Sequence, residues 1–290
     1  MGSVVMSGQN ADKRIRAVET SAYVCSNTRL TGDLWQLVLH TPIISGAIAA
    51  GQFVHLSCGD TGKHILRRPF SIHEVYQSPQ GIPERLSLLY QVVGEGTSCL
   101  TTVREGMSLG ALGPLGHGWQ VPDETSCALL VGGGVGFAPL VLLAELLLDT
   151  GREVHVLLGA RNADYLHALV SKSHYDTLVH NKTRALDGES YYEHFATDDG
   201  SLGFHGMNTE LLGSLLDRYD FDYIATCGPE PMQKIVAAHA VDRGISCEVS
   251  LERRMGCGMG VCLSCVVQTT KGSKRACLDG PVFDAREVIW

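Results

Sequence analysis

The stretch CALLVGGGVGFAPLVLLAELLLD, residues 127–149, decides the fold. It opens as an uninterrupted apolar run ending in glycines, the pattern of a strand covered on both faces. From Ala138 to Asp149 the sequence then reads as a buried helix, and Pro139 suits its first turn. Strand, glycine turn and helix in that order begin a parallel α/β domain. The alternation continues downstream: a strand at EVHVLLGA (153–160), a helix-like LHALVSKSH (166–174), a strand at SYYEHFAT (190–197), a helix at TELLGSLLDRY (209–219), a strand at DYIATCG (222–228) and a helix at MQKIVAAHAVDRG (232–244).

Upstream the style is different. LWQLVLHTP (34–42), GQFVHLSC (51–58), RRPFSIHEV (67–75), LSLLYQVVG (86–94) and GMSLGALGPLGHGW (106–119) are short segments broken by Gly and Pro, with no helical period. About a dozen residues between turn signals argues for an antiparallel β-barrel or sandwich. After Ile245 the chain turns Gly- and Cys-rich and has too few apolar residues to build a core alone, so an organising metal is expected there. The reading is a multi-domain β plus α/β chain: a barrel over 12–122, an α/β domain over 123–245 and a small module over 246–290.

Composition narrows the partners. The 290 residues are 44% apolar and 19% charged, enough to bury cores, and the net charge of -8 comes without a basic run, which disfavours nucleic acid. The longest apolar stretch, Phe137–Leu148, has 12 residues and contains Glu145, too short to cross a bilayer. The opening MGSVVMSGQNADKR lacks the basic-then-apolar order of a secretory signal, so a cytoplasmic location is expected. Ten cysteines agree with a reducing compartment and free thiols.

Four of those cysteines fall as Cys257-x4-Cys262-x2-Cys265-x11-Cys277. This is the plant-type ligand spacing of a [2Fe-2S] cluster, and Gly256, Gly258 and Gly260 let the backbone wrap the group and aim N–H donors at its sulfurs. A structural zinc site is the competing reading; it usually pairs C-x2-C knuckles. Cys227 and Cys247 stand outside the loop.

Three further segments carry ligand chemistry. In Arg68-Pro69-Phe70-Ser71 a guanidinium suits a diphosphate, an aromatic ring offers a flat face and a hydroxyl lies close by, the needs of a flavin dinucleotide. Gly94-Glu95-Gly96-Thr97 precedes a short helix whose first N–H groups suit the same diphosphate. Gly133, Gly134 and Gly136, ahead of Pro139, suit the pyrophosphate of a second dinucleotide. The second strand of that domain ends in GARN, so Arg161 leaves a phosphorylated dinucleotide open. Asp198 and Asp199 after the third strand would repel a ribose 2′-phosphate and favour NAD, against the plainer reading as a solvated turn. Cys227-Gly228-Pro229-Glu230 ends a strand at the ligand edge of the sheet; a buried packing thiol is the plainer reading of Cys227.

Together these motifs resemble the ferredoxin–NADP reductase superfamily: its R-x-[YF]-S at Arg68–Ser71, its GPLG at Gly113–Gly116, its G-x-G-x-x-P at Gly134, Gly136 and Pro139, and its CGP at Cys227–Pro229. The forms LRRPFSI, TDDGS and CLDGPVFDA look like the electron-transfer subunits of dihydroorotate dehydrogenase B, from about Arg16 to Trp290. The resemblance implies a FAD-binding barrel, an NAD-binding domain and a [2Fe-2S] module. It implies FAD contacts at Arg68, Pro69, Phe70, Ser71, Leu89, Tyr90, Gln91, Gly96 and Thr97, with Phe70 lacking the hydroxyl of the tyrosine usual there. NAD contacts fall at Gly133, Gly134, Gly136, Pro139, Asp198, Asp199, Cys227, Gly228, Pro229 and Glu230. Cluster ligation falls on Cys257, Cys262, Cys265 and Cys277. No acid–base residue is demanded; Ser71 and Cys227 are expected near the flavin–nicotinamide contact. The implied activity is NAD-linked electron transfer in pyrimidine biosynthesis, in a heterotetramer with an FMN-containing dihydroorotate dehydrogenase catalytic subunit. A diaphorase subunit of a hydrogenase, sulfite reductase or ferredoxin oxidoreductase shares this layout, and a non-catalytic zinc module is the third reading.

Overall fold

Alternation between Leu34, Leu37 and Leu39, all fully buried, and their half-exposed neighbours makes Leu34–His40 a strand with one face to a core. The computed structural model describes residues 17–58, 65–170 and 190–290. Residues 12–16 of the expected barrel domain and Ser171–His174 of the helix-like 166–174 lie outside them. The chain divides into two compact units. No helix among the described residues is long and apolar enough to cross a membrane.

The first unit takes the described residues up to Gly118, with Glu252–Val267 and Ser273–Pro281. Its strands are β1 (Val18–Thr31), β2 (Leu34–His40), β3 (Phe53–Leu56), β4 (Arg68–Ser71), β5 (Glu74–Gln77), β6 (Pro83–Gln91) and β7 (Ser108–Leu115), with short helices α1 (Pro42–Ser45) and α2 (Glu95–Leu100). They form one antiparallel sheet, ordered β4-β3-β7-β1-β2-β6-β5. Ile72 and His73 close it round: the Ile72 N–H donates to Gln52 and the His73 N–H to Ser87, 3.3 and 2.9 Å. The two ends of the sheet thereby meet, and the Phe70 ring stands edge-on to Tyr90 with centroids 6.0 Å apart.

The second unit comprises Trp119–Leu251, Gln268–Gly272 and Val282–Trp290. Its strands are β8 (Cys127–Gly133), β9 (Glu153–Ala160), β10 (Tyr191–Thr197), β11 (Phe204–His205), β12 (Tyr223–Cys227) and β13 (Ser246–Ser250). Its helices are α3 (Ala138–Asp149), α4 (Ala163–Leu169), α5 (Asn208–Arg218) and α6 (Glu230–Arg243). After the hairpin strands β14 (Val266–Thr269) and β15 (Gly272–Arg275), β16 (Val282–Asp284) completes a sheet ordered β11-β10-β9-β8-β12-β13-β16. All its pairings are parallel except β13 with β16. Ala128–Val131 of the central β8 are fully buried, as strands covered on both faces must be. The chain winds outward from β8 through β9 and β10, then returns to the other side with β12. The carboxyl ends of β8 and β12 are therefore the switch point where open α/β sheets take ligands.

Candidate functional site

The two adjacent arginines of LRRPFSI have different employment. Arg67 pairs with Glu19 of β1. Arg68 uses Nη1 on the Leu66 carbonyl, 2.7 Å, and turns its Nε–Nη2 edge to Gly96 at the start of α2. A Cβ on Gly96 would stand 3.0 Å from Nε and 3.2 Å from Nη2, so only glycine leaves the guanidinium fork this close to the backbone. The Thr97 hydroxyl is committed to the turn itself, accepting from the Val93 and Gly94 N–H groups at 2.9 and 3.2 Å. A fork beside first-turn N–H groups is a donor set for a diphosphate.

Nearby, β5 covers β6 only as far as Ser87, leaving one backbone edge of Leu88–Gln91 unpaired by strand. Leu89 and Tyr90 are buried, so what this segment can present is main chain. Phe70 is also interior, while Pro69 and Ser71 are half-buried. Asn27, which the sequence reading missed, fastens this corner. Its amide donates to the Leu100 and Val103 carbonyls at the end of α2, 2.7 and 3.1 Å, and accepts from the Tyr90 hydroxyl, 3.0 Å. Local pattern offers no signal for it, because the partners lie more than 60 residues away.

At the switch point of the second unit two loops interlock. A Cβ on Gly136 would come within 2.6 Å of the Cys227 carbonyl oxygen and the Gly228 Cα, and one on Gly133 within 2.8 Å of Pro229 and Met232. Gly228 has φ +150°, open to glycine alone. Gly134–Phe137 forms a single tight turn leading into α3, with Pro139 in its first turn. Glu230 begins α6. Asn208, also missed, reaches from α5 to the Gly132 carbonyl, 3.0 Å, while buried. Glycines Gly133–Gly136 and residues Cys227–Glu230 thus form one surface at the carboxyl ends of β8 and β12.

Asp198 and Asp199 follow β10, both exposed. Asp199 accepts from the Ser201 hydroxyl and N–H, 2.6 and 3.0 Å, which hold its carboxyl below the usual range. Its carboxylate shapes the turn, and Asp198 presents the outward one.

The cysteine loop packs within the first unit. The Met259 and Cys262 N–H groups each donate to Cys257 Sγ at 3.4 Å, and the Gly260 N–H to Cys277 Sγ at 3.1 Å. Gly258 and Gly260, at φ +69° and +76°, make these turns. Hydrogen bonding with Ser264 holds the exposed Cys262 thiol down at about 6, whereas burial, then the neighbouring Cys265, push Cys277 up to about 12. Of these two thiols, Cys262 ionises the more readily and Cys277 the more reluctantly. Backbone donors aimed at sulfur suit a group whose thiolates and sulfides carry negative charge. Among the described residues Cys127, Glu153 and His155 also bring donor atoms within 4.8 Å of one another. There the His155 ring is already engaged by Glu153 and His194, at 2.9 and 3.0 Å.

Comparison with known proteins decides what this combination is. Residues 252–289 match the model of the iron-sulfur cluster binding domain of dihydroorotate dehydrogenase B. The "dihydroorotate dehydrogenase B (NAD(+)), electron transfer subunit" of Desulforamulus reducens is 39% identical over 89% of this chain and 93% of its own. That of Bacillus pumilus is 34% identical over 91% and 96%. The chain belongs to this family of electron transfer subunits. Among solved structures, the NADH-dependent reduced ferredoxin-NADP oxidoreductase, described for flavin-based electron bifurcation, superposes with a TM-score of 0.78 at 29% identity, over 93% of this chain and 90% of that one. Read as an electron transfer subunit, the chain keeps its Arg68–Gly96 cradle and its cysteine loop in one compact unit and its glycine loops in the other.

Proposed function

We propose that the chain carries electrons between NAD(H), FAD and a [2Fe-2S] cluster, exchanging them with an FMN-containing dihydroorotate dehydrogenase catalytic subunit. The observation that carries this is the packing of the cysteine loop against the barrel that holds Arg68 and Gly96: Gly258 lies against His55 of β3 and Leu115 of β7, and β3 pairs with β4. When bound, FAD supplies the conversion between a hydride pair and single electrons. Arg68 and the first turn of α2 hold its diphosphate, the open edge of Leu88–Gln91 meets its ring, and Phe70 and Ser71 border it. Gly133–Gly136, Pro139 and Cys227–Glu230 hold the nicotinamide dinucleotide, with Cys227 on the nicotinamide side. Cys257, Cys262, Cys265 and Cys277 ligate the cluster. Met259, Val261, Leu263 and Leu278, all exposed around that loop, form the apolar rim on which the catalytic subunit docks. The described cysteines form no disulfide, which agrees with a reducing cytoplasm.

Replacing Arg68 with Ala is expected to strip FAD during gel filtration, because charge-assisted bonds of about 1.5–3 kcal/mol each are lost. Unchanged flavin content would refute the cradle. Asp198→Ser is expected to narrow the preference for NADH over NADPH, read as the ratio of kcat/KM values in a dye-reduction assay. Asp199→Ser should act mainly by loosening the Ser201 turn. An NADPH preference in the unmodified chain would overturn the assignment of the acidic pair. Co-purification from the native cell tests the partner: a hydrogenase or sulfite reductase subunit in place of the flavoprotein would move the chain to another reductase.

A further inference from the structure

His55 interrupts the apolar run of β3 and is 1% exposed. It faces Pro69 of β4 on one side and Leu112 of β7 on the other. Among the described residues neither ring nitrogen has a partner in hydrogen-bond geometry, the Arg67 backbone approaching the ring without meeting it. Leaving a donor and an acceptor unsatisfied inside a core is destabilising, so a fixed buried imidazole in this state calls for a partner.

The position of Nδ1 says where that partner lies. It is the atom closest to the space above Gly258: a Cβ there would be 2.8 Å from Nδ1, with Leu115 at 3.3 Å. Gly258 directly follows Cys257, and its φ of +69° is one that favours glycine. Main-chain N–H groups of Met259, Gly260 and Cys262 already donate to the sulfurs of Cys257 and Cys277. Burial first, then the charges of Arg67 and Arg68, push the His55 pKa down to about 4, so the ring is neutral and carries a single N–H.

We propose that His55 Nδ1–H donates a hydrogen bond to a sulfur of the group held by the cysteine loop and so raises its reduction potential. This rests on the reading of the four cysteines as [2Fe-2S] ligands. A donor to a thiolate or sulfide stabilises the more negative, reduced state, which favours arrival of the electron. His55 is a positioning residue placed on the strand next to the flavin motif.

The test uses the cofactor-loaded chain labelled with 15N only in histidine. Electron spin echo modulation of the reduced cluster should show a histidine nitrogen coupling that His55→Gln abolishes. In a redox titration His55→Leu should lower the midpoint potential, a tenfold shift in the electron's equilibrium being about 59 mV. His55→Gln, which keeps an N–H donor, should restore part of it. A wild-type cluster with no histidine coupling overturns the proposal even if no variant folds, and so does an unchanged potential in His55→Leu. A chain that takes up zinc in place of iron would instead bring down the reading of the four cysteines, and the inference with it.

Discussion

Cys277→Ser will hold FAD and no cluster. Cys277 is buried, receives the Gly260 N–H, and lies beside Cys265. A serine there has a shorter reach and a far less acidic proton, so one of the four proposed iron ligands is lost outright. The visible and paramagnetic signatures of the cluster should vanish, and electron delivery to the catalytic subunit should fall by more than the roughly 10–100-fold that loss of an outer-sphere partner costs. Flavin content should stay near one per chain, because Arg68, Gly96 and the edge of β6 are untouched. A normal cluster in this variant would move ligation elsewhere. Cys247 is a poor replacement, being buried in β13 of the other unit with a thiol pushed up by burial.

Gly136→Ala gives the second large effect, on the opposite arm of the path. The added methyl would sit 2.6 Å from main-chain atoms of Cys227 and Gly228, neither of which can swing aside as a side-chain tip would. The two loops at the switch point must part. Overpacking of this kind costs about 1–3 kcal/mol of stability. A displacement near 1 Å at the hydride-transfer geometry lowers kcat/KM for NADH by about 100-fold. Dithionite should still reduce flavin and cluster normally, which separates a damaged nicotinamide site from damaged cofactors. Gly213→Ala is the control. It sits inside α5 with nothing within 4 Å of the new methyl, and should be neutral or stabilise by about 0.5–1 kcal/mol. If Gly136→Ala behaves like Gly213→Ala, the interlocked loops are not the nicotinamide site.

Much of this was readable in the chain because the signals are local. Residues 127–149 have the strand, glycine turn and helix foreseen, since burial on both faces of β8 forces a continuous apolar run and α3 begins where Pro139 allows it. The cysteine spacing is a ruler laid along one loop, and it places all four thiols in the segment matched by the iron-sulfur domain model. Other features depend on contacts that no window of sequence contains. The duty of Arg67 is settled by Glu19, 48 residues away, so LRRPFSI alone cannot say which arginine is left to face a diphosphate. Asn27, Asn208 and His55 act through partners on other elements, and on residue type each reads as an ordinary polar residue. SCEVS and VFD are too short and mixed to announce β13 and β16, whose pairing is fixed by the sheet already present. The acidic pair shows a third kind of limit: two carboxylates are visible in TDDGS, but only the Ser201 hydrogen bonds tell the structural one from the outward one.

The central claim is that this single chain connects NADH to its cluster through FAD. It is tested most directly by mixing the isolated, cofactor-loaded chain with NADH in the absence of any partner, freezing at intervals, and recording the flavin absorbance and the paramagnetic signal of the reduced cluster. The account predicts that the flavin bleaches first and that the signal of a reduced [2Fe-2S] centre follows, with neither change on adding dihydroorotate alone. A flavin that NADH reduces while the cluster stays oxidised, with dithionite still able to reduce it, would contradict the account.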